Sequence, residues 1–507
     1  MRRLIRRPEA ALFVLALGVY GYFYQAGGWN QNSRFDLTRA IVERGTSSIE
    51  AYHRNTGDHA VRDGVHYCDK APGASWLGVP VYGAMHVLGG SDRPSPRFLA
   101  VSAYLVTVVA VGVPSAAAVV ALYVLLGALA LGLGRGARVA LACAYGFGTL
   151  ALPYATLFYG HQLMASLVLI GFAILVWLRQ RGGAPNRWML AGAGLALGYA
   201  VVVEYPAALA VAPIFAYACW WLWPEHRRAI GWVVLGGAVP AVALAAYHWA
   251  AFGGPLTLPY EFSTQSHRGQ GFMGIGAPRD GAMWGVLLGS YRGLLFSAPW
   301  LALAVPGATL LILRRATRPE GIVAAAIAAL FVWLNISLVD WQGGWAMGPR
   351  YLIPAIPFLA IAAAGVISLL CKGGWHLRES AWHLRERHLR ESAWHLRARV
   401  AGWVVFTGLA GYSAFLMLVG TAVKPEVDVR IRKPYGEFLL PHFGRGELAV
   451  STQSIDMKGA PRTGPPQAWN LGHAVGLRGR ASLIPLLVFA AGVVVWLVLA
   501  IRRARDG

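Results

Sequence analysis

The sequence predicts an all-α polytopic membrane protein, and three observations lead there. The chain of 507 residues is 56% hydrophobic and only 13% charged, too apolar for a soluble domain of that size. Runs of roughly 20 apolar residues recur along nearly its whole length, each long enough to cross a hydrocarbon core about 30 Å thick. The runs lack strand-like alternation, and in lipid only helices and closed barrels satisfy every backbone polar group, so the runs read as helices.

The formal charge of +22 does not call for a nucleic-acid partner. Its arginines cluster at the ends of apolar runs, where basic residues set topology and meet anionic lipid heads. The cysteines form no disulfide framework, because Cys143, Cys219 and Cys371 lie in or beside predicted spans and Cys68 is alone in its loop.

In chain order, a basic start (Arg2, Arg3, Arg6, Arg7) precedes a first span over residues 10–25. It reads as a retained anchor, since no small-residue cleavage site follows. This places the N-terminus in the cytoplasm and the loop 26–97 outside. Within that loop, residues 36–42 and 76–88 read as amphipathic helices on the membrane surface, the second ended by Gly89-Gly90. The stretch 98–133 is too long for one untilted span and carries Pro114, so its first half is expected to be interfacial or re-entrant. The next span runs to about residue 159, with Gly160-His161-Gln162 as a tight outer turn.

Further spans are expected over residues 163–177, 188–203, 207–223, 230–252, 294–313, 321–339, 351–370, 400–420 and 483–501. Every inner turn then carries arginine or lysine, which gives about 12 spans with both ends cytoplasmic. A basic cytoplasmic insertion, 372–399, holds the near-identical repeats HLRESAWHLRER and HLRESAWHLRAR, and reads as a recent duplication. The organisation is thus a transmembrane region 1–421, an extracytoplasmic segment 422–480, and a last span with its tail, 481–507.

This topology collects Arg34, Asp36, Asp69, Lys70, His161, Glu204, Tyr260, Asp340 and Arg350 on the outer side. Ionisable residues at span ends are costly to bury, so their gathering on one side points to a site. Taken singly, each also reads as a helix cap, a snorkelling cation or a solvated side chain.

The motifs are more specific together. Arg34-Phe35-Asp36, then Tyr67-Cys68-Asp69-Lys70-Ala71-Pro72-Gly73 with Val79-Pro80, then Phe252-Gly253-Gly254-Pro255-Leu256, Arg292-Gly293-Leu294-Leu295-Phe296-Ser297-Ala298-Pro299 and Gly348-Pro349-Arg350-Tyr351-Leu352-Ile353-Pro354 follow in order over most of the chain. This series resembles the GT-C superfamily of polyprenol-phosphate-dependent glycosyltransferases, whose members include protein O-mannosyltransferases and lipid A aminoarabinose transferases. The resemblance implies a GT-C-like fold with surface helices in the first extracytoplasmic loop. It implies transfer of a sugar from a polyprenyl-phosphate donor to a glycan, lipid or protein acceptor, on the extracytoplasmic side of the plasma (inner) membrane. Asp36 is then the general base, and Lys70 and Arg350 hold the lipid phosphate, as point charge and bidentate fork. Several relatives carry an acidic residue in the next outer turn, where this chain has His161. A divalent metal is therefore left open, with His161, Asp69 and Glu204 as candidate acceptor or metal residues and Arg34, Tyr67, Tyr260 and Tyr351 as further candidates. No other cofactor is expected. No G-x-G-x-x-G follows a strand, as a nucleotide-sugar enzyme would suggest. A multi-span transporter of a sugar or lipid-linked substrate is the competing class; it predicts two similar halves and broken helices at the midplane, neither of which the sequence displays.

Overall fold

The computed structural model describes residues 7–91, 93–371, 393–456 and 464–503. The tandem repeat at residues 376–399 lies outside them except for its last residues, which begin the helix Ala393–Val423. The described chain is mostly helical, as its apolar runs dictate. Among the described residues, seven helical stretches are long and apolar enough to cross a membrane: Pro96–Ala128, Gly160–Arg181, Tyr205–Phe252 (two α-helices, Ala208–His226 and Ile230–Phe252, joined by a 3-10 turn), Arg318–Ser337, Arg350–Cys371, Leu396–Val423 and Gly479–Arg502. Pro8–Tyr20, Arg187–Val203 and Pro299–Leu313 are shorter apolar helices. Large apolar side chains such as Val239, Val242, Val305, Leu487 and Val488 are exposed on this bundle, the exterior of a multi-pass membrane protein.

Small residues let the helices approach. A Cβ on Gly194 would lie 2.0 Å from the Val233 carbonyl oxygen, and one on Gly236 would lie 2.0 Å from that of Ala191. The helices Arg187–Val203 and Ile230–Phe252 thus pack backbone to backbone at reciprocal glycines, the way membrane helices associate without a hydrophobic drive between them.

Four expectations are corrected. The stretch with Pro114 is one continuous helix: Pro96–Thr107 passes through a π-helical turn, Val108–Gly112, into Val113–Ala128. The widened turn absorbs the proline, which sits at the start of the next segment where its missing N–H matters least. Gly160-His161-Gln162 is no turn but the first turn of Gly160–Arg181. The span expected from residue 294 breaks after the short helix Leu294–Ser297 and resumes at Pro299. The fold is also not purely α. His59–Arg62 pairs antiparallel with Val65–Cys68, and Phe23–Tyr24 with Trp469–Asn470. Asp63 and Gly64 turn the first pair with φ of 52° and 78°, the left-handed pair that matches strand twist in a two-residue hairpin.

The first loop folds onto the bundle through two α-helices, Trp29–Arg44 and Gly73–Gly89, with the hairpin between them. A Cβ on Gly73 would meet the Val202 backbone at 2.8 Å, so this glycine seats the second helix against the end of Arg187–Val203.

Candidate active site

The helix Trp29–Arg44 is polar by sequence, yet Asn30 through Ala40 are all buried. Burying such groups is tolerable only if each finds a partner, and most do. Asn32 donates to the carbonyls of Asn55 (2.8 Å) and Ser454 (3.1 Å), Ser33 lies 3.1 Å from the Cys68 sulfur, and Thr38 donates to Ser75 O at 3.0 Å. Arg34, fully buried, donates to Asn30 Oδ1 and Ala71 O, both at 3.1 Å, and is ion-paired to Glu204. A polar helix locked in this way is a rigid platform for a site.

The hairpin delivers Lys70. Its ammonium lies 3.1 Å from Asp58 Oδ2 and 3.0 Å from Asp69 Oδ1, while Asp69 also accepts from Ser263 Oγ at 3.2 Å. Lys70 holds the Asp58 carboxyl below its ordinary range against the opposing effect of burial. A lysine ammonium has three donors, so two carboxylates leave one for a ligand.

Lys70 lines a cavity of about 330 Å³ whose wall also carries Arg268 and Arg350. The guanidinium of Arg268 lies 3.9 Å over the Tyr260 ring, and that of Arg350 lies 5.2 Å from the Tyr351 ring and 5.6 Å from the Tyr159 ring. Arg350 Nη2 is 3.4 Å from Tyr351 OH, its Nε is buried without a partner, and it makes no ion pair among the described residues. The cavity also has an apolar side formed by Met164, Leu209, Phe331, Trp333, Leu334 and Leu338, and Trp333 and Phe272 on its wall are exposed at the protein surface.

A second cavity, of about 640 Å³, is lined mainly by polar residues: Asn55, Asp58, Tyr159, Asp340, Glu426, Thr452, Gln453 and Ser454 are on its wall. Asn30, His267, Asp340 and Arg350 line both cavities, so the two adjoin across these residues. The segment after the helix Ala393–Val423 supplies Glu426 and the 452–454 strip to this chamber.

Of the residues singled out from sequence, Lys70, His161, Glu204, Tyr260, Arg350 and Tyr351 line the smaller cavity. Arg34, Asp69 and Tyr67 line neither: the first two buttress residues that do, and Tyr67 packs on Phe252 with ring centroids 5.4 Å apart. Asp36 also lines neither cavity. It is fully buried behind Asn55, whose amide donates to Asp36 Oδ1 at 3.1 Å, and its Oδ2 has no partner. Burial pushes its carboxyl well above the ordinary value, beyond what the Asn55 bond and Arg39 offset. A carboxyl with a raised folded pKa favours folding most below its unfolded pKa, and that contribution is lost as pH rises through the folded one. Asp36→Asn is therefore expected to melt higher than the parent at pH 8, with the gap closing towards pH 5. Thermal unfolding at the two pH values checks this, and a pH-independent gap counts against it.

The metal candidates do not converge. His161 Nδ1 is 3.5 Å from Glu204 Oε1 but makes no hydrogen bond, Glu204 is taken by Arg34, and Asp69 by Lys70. Among the described residues, Glu50, His53 and His66 are the group whose ligand atoms all lie within 4.8 Å, and they line neither cavity. Sequence reasoning missed Arg268, Asp58, Asn55 and Glu426. Asp58 was detectable, since it immediately precedes the strand His59–Arg62, which the Asp63-Gly64 turn pairs with Val65–Cys68, the strand that leads into Asp69-Lys70. Glu426 meets Gln31 across 395 residues, a contact no local pattern signals.

No family model matches the chain, and no curated protein does. Among solved structures, it is similar to ArnT from Cupriavidus metallidurans bound to undecaprenyl phosphate, with 17% identity and a TM-score of 0.47 over 97% of this chain and 75% of that one. It is also similar to the oligosaccharyltransferase AglB from Archaeoglobus fulgidus in complex with an inhibitory peptide and a dolichol-phosphate, with 11% identity and a TM-score of 0.48 over 90% of this chain and 60% of that one.

Proposed function

We propose that the chain is a membrane glycosyltransferase that moves a sugar from a polyprenyl-phosphate donor to an acceptor hydroxyl on the extracytoplasmic face of the plasma membrane. The observation that supports it most is the pair of adjoining cavities. One has an apolar side and carries Lys70, Arg268 and Arg350 on its wall together with Glu204 and Asp340, the other is lined mainly by polar residues including Asp58, Asp340 and Glu426, and they share Arg350. An amphipathic donor fits that division. Its prenyl chain lies along Phe331, Trp333 and Leu334, its phosphate meets Lys70, Arg268 and Arg350, and its sugar projects across the shared wall towards the acceptor.

The chemistry follows. The acceptor oxygen attacks the anomeric carbon, the bond from that carbon to the phosphate oxygen breaks, and the electron pair leaves with the lipid phosphate, which gains negative charge. Cations fixed beforehand in a site shielded from water stabilise that charge more than water does. The acceptor proton passes to a carboxylate; the motif resemblance gives this role to Asp36, which reaches the chamber only through Asn55. Displacement in one step inverts the anomeric centre.

The test is transfer by purified protein in lipid nanodiscs, supplied with a panel of radiolabelled polyprenyl-phosphate sugars and membrane extract as acceptor. Label in a product supports the proposal; no binding and no transfer from any donor overturns it. Arg350→Lys keeps the charge but loses the planar fork, so its transfer rate is expected to fall by about tenfold rather than vanish. A rate equal to the parent's would remove Arg350 from the phosphate site.

A further inference from the structure

We propose that Glu426 is the general base of this transfer, the carboxylate that takes the acceptor's hydroxyl proton; the assignment rests on the glycosyltransferase reading above. Glu426 lies just beyond the helix Ala393–Val423 and reaches back to the wall of the polar chamber, which it shares with Arg350. A base must come within hydrogen-bond reach of the proton it abstracts, and a carboxylate on the chamber wall meets that requirement where one behind Asn55 does not.

Two other acids line the chamber, and each is held by a charged donor or by more donors than Glu426. Asp58 is held by Lys70 at 3.1 Å. Asp340 Oδ1 accepts from Gln342 Nε2 at 2.7 Å and from the Gly344 amide at 3.2 Å, and its Oδ2 is 3.4 Å from Tyr351 OH. Among the described residues Glu426 has just two side-chain donors, both neutral: the Tyr159 hydroxyl on Oε1 and Gln31 Nε2 at 3.1 Å on Oε2. It is 4% exposed, and burial lifts its carboxyl above the ordinary range although Tyr159, Lys424, Arg350 and Gln31 all act to lower it. A base with a raised pKa accepts a proton more readily near neutrality. The backbone makes room for it as well. A Cβ on Gly28, at the start of the first loop helix, would lie 2.3 Å from Glu426 Oε1.

In the step itself, Glu426 takes the proton as the acceptor oxygen bonds to the anomeric carbon, and the lipid phosphate leaves with the electron pair of the broken bond. The proton then returns to solvent through the open chamber, which restores the carboxylate.

The experiment uses the full chain in nanodiscs, with undecaprenyl phosphate as the binding probe and the radiolabelled donors for transfer. Glu426→Gln is expected to lower the transfer rate by about 10²–10⁴-fold while undecaprenyl phosphate binds as tightly as to the parent. Glu426→Asp, which keeps the carboxylate, should recover part of the rate and so separates chemistry from folding. The acid limb of the parent's rate profile should disappear in Glu426→Gln. In Tyr159→Phe, which removes a donor that favours the carboxylate, that limb should move to higher pH. Unchanged transfer by Glu426→Gln overturns the assignment and leaves the transferase reading standing. So does a collapse in Asp36→Asn, with binding intact, that Glu426→Gln does not match. A parent protein that moves no sugar from any polyprenyl-phosphate donor sinks both.

Discussion

Lys70→Met is expected to unfold more easily than the parent by about 3–5 kcal/mol and to lose roughly 10²–10³-fold in transfer. Both losses come from one atom. The ammonium sits between Asp58 and Asp69, and Asp69 is fully buried. Methionine has similar length but leaves two carboxylates facing each other without a cation. The sign of the pH dependence follows from Asp58, whose folded pKa is depressed by Lys70. Its stabilisation is present above the unfolded carboxylate pKa and is lost as pH falls through the folded one. The deficit of Lys70→Met should therefore be greatest at neutral pH and narrow in acid. A second substitution separates fold from function: Lys70→Met with Asp58→Asn should regain much of the stability and none of the transfer. If transfer returned with stability, Lys70 would be a brace for the hairpin and not a ligand for phosphate.

The scaffold was legible in sequence because lipid imposes one rule everywhere: a spanning segment must be long, apolar and helical. The start and end of Ile230–Phe252 follow directly from where its apolar run begins and stops. The same rule says nothing of the first loop. There the informative marks were local, and one of them, Asp63-Gly64 between alternating residues, was the ordinary sign of a hairpin between the two helices read in that loop. Lys70 and Arg350 stand out in sequence because each sits in a recognisable run, and the structure puts both on one cavity wall. Arg268 lies in a loop with no distinctive neighbours, and Glu426 is defined only by what it meets far along the chain. Asp36 is the converse case. The motif resemblance implies a general base there, and the structure has Asp36 fully buried and on the wall of neither cavity, while Asn30 and Asn32 line the chamber.

Arg34→Met should have an effect on stability comparable to that of Lys70→Met, about 3–5 kcal/mol, for a different reason. Arg34 joins the first loop helix to the bundle through three directions at once: Asn30 on its own helix, the carbonyl of Ala71 beside Lys70, and Glu204 at the end of Arg187–Val203. Removing it leaves Glu204 as a buried anion on the wall of the cation-lined cavity, where it would repel a phosphate. The parent should thus differ from Arg34→Met in undecaprenyl phosphate affinity as well as in melting temperature. Because a buried pair is costly to desolvate, losing both members should be milder than losing one. Arg34→Met with Glu204→Leu is expected to melt above Arg34→Met alone and to recover lipid-phosphate binding, since the stranded charge is gone. Equal melting of the single and double variants would mean that the bonds to Asn30 and Ala71, rather than the ion pair, hold the loop helix in place. The orientation of Lys70 would then depend on the hairpin alone.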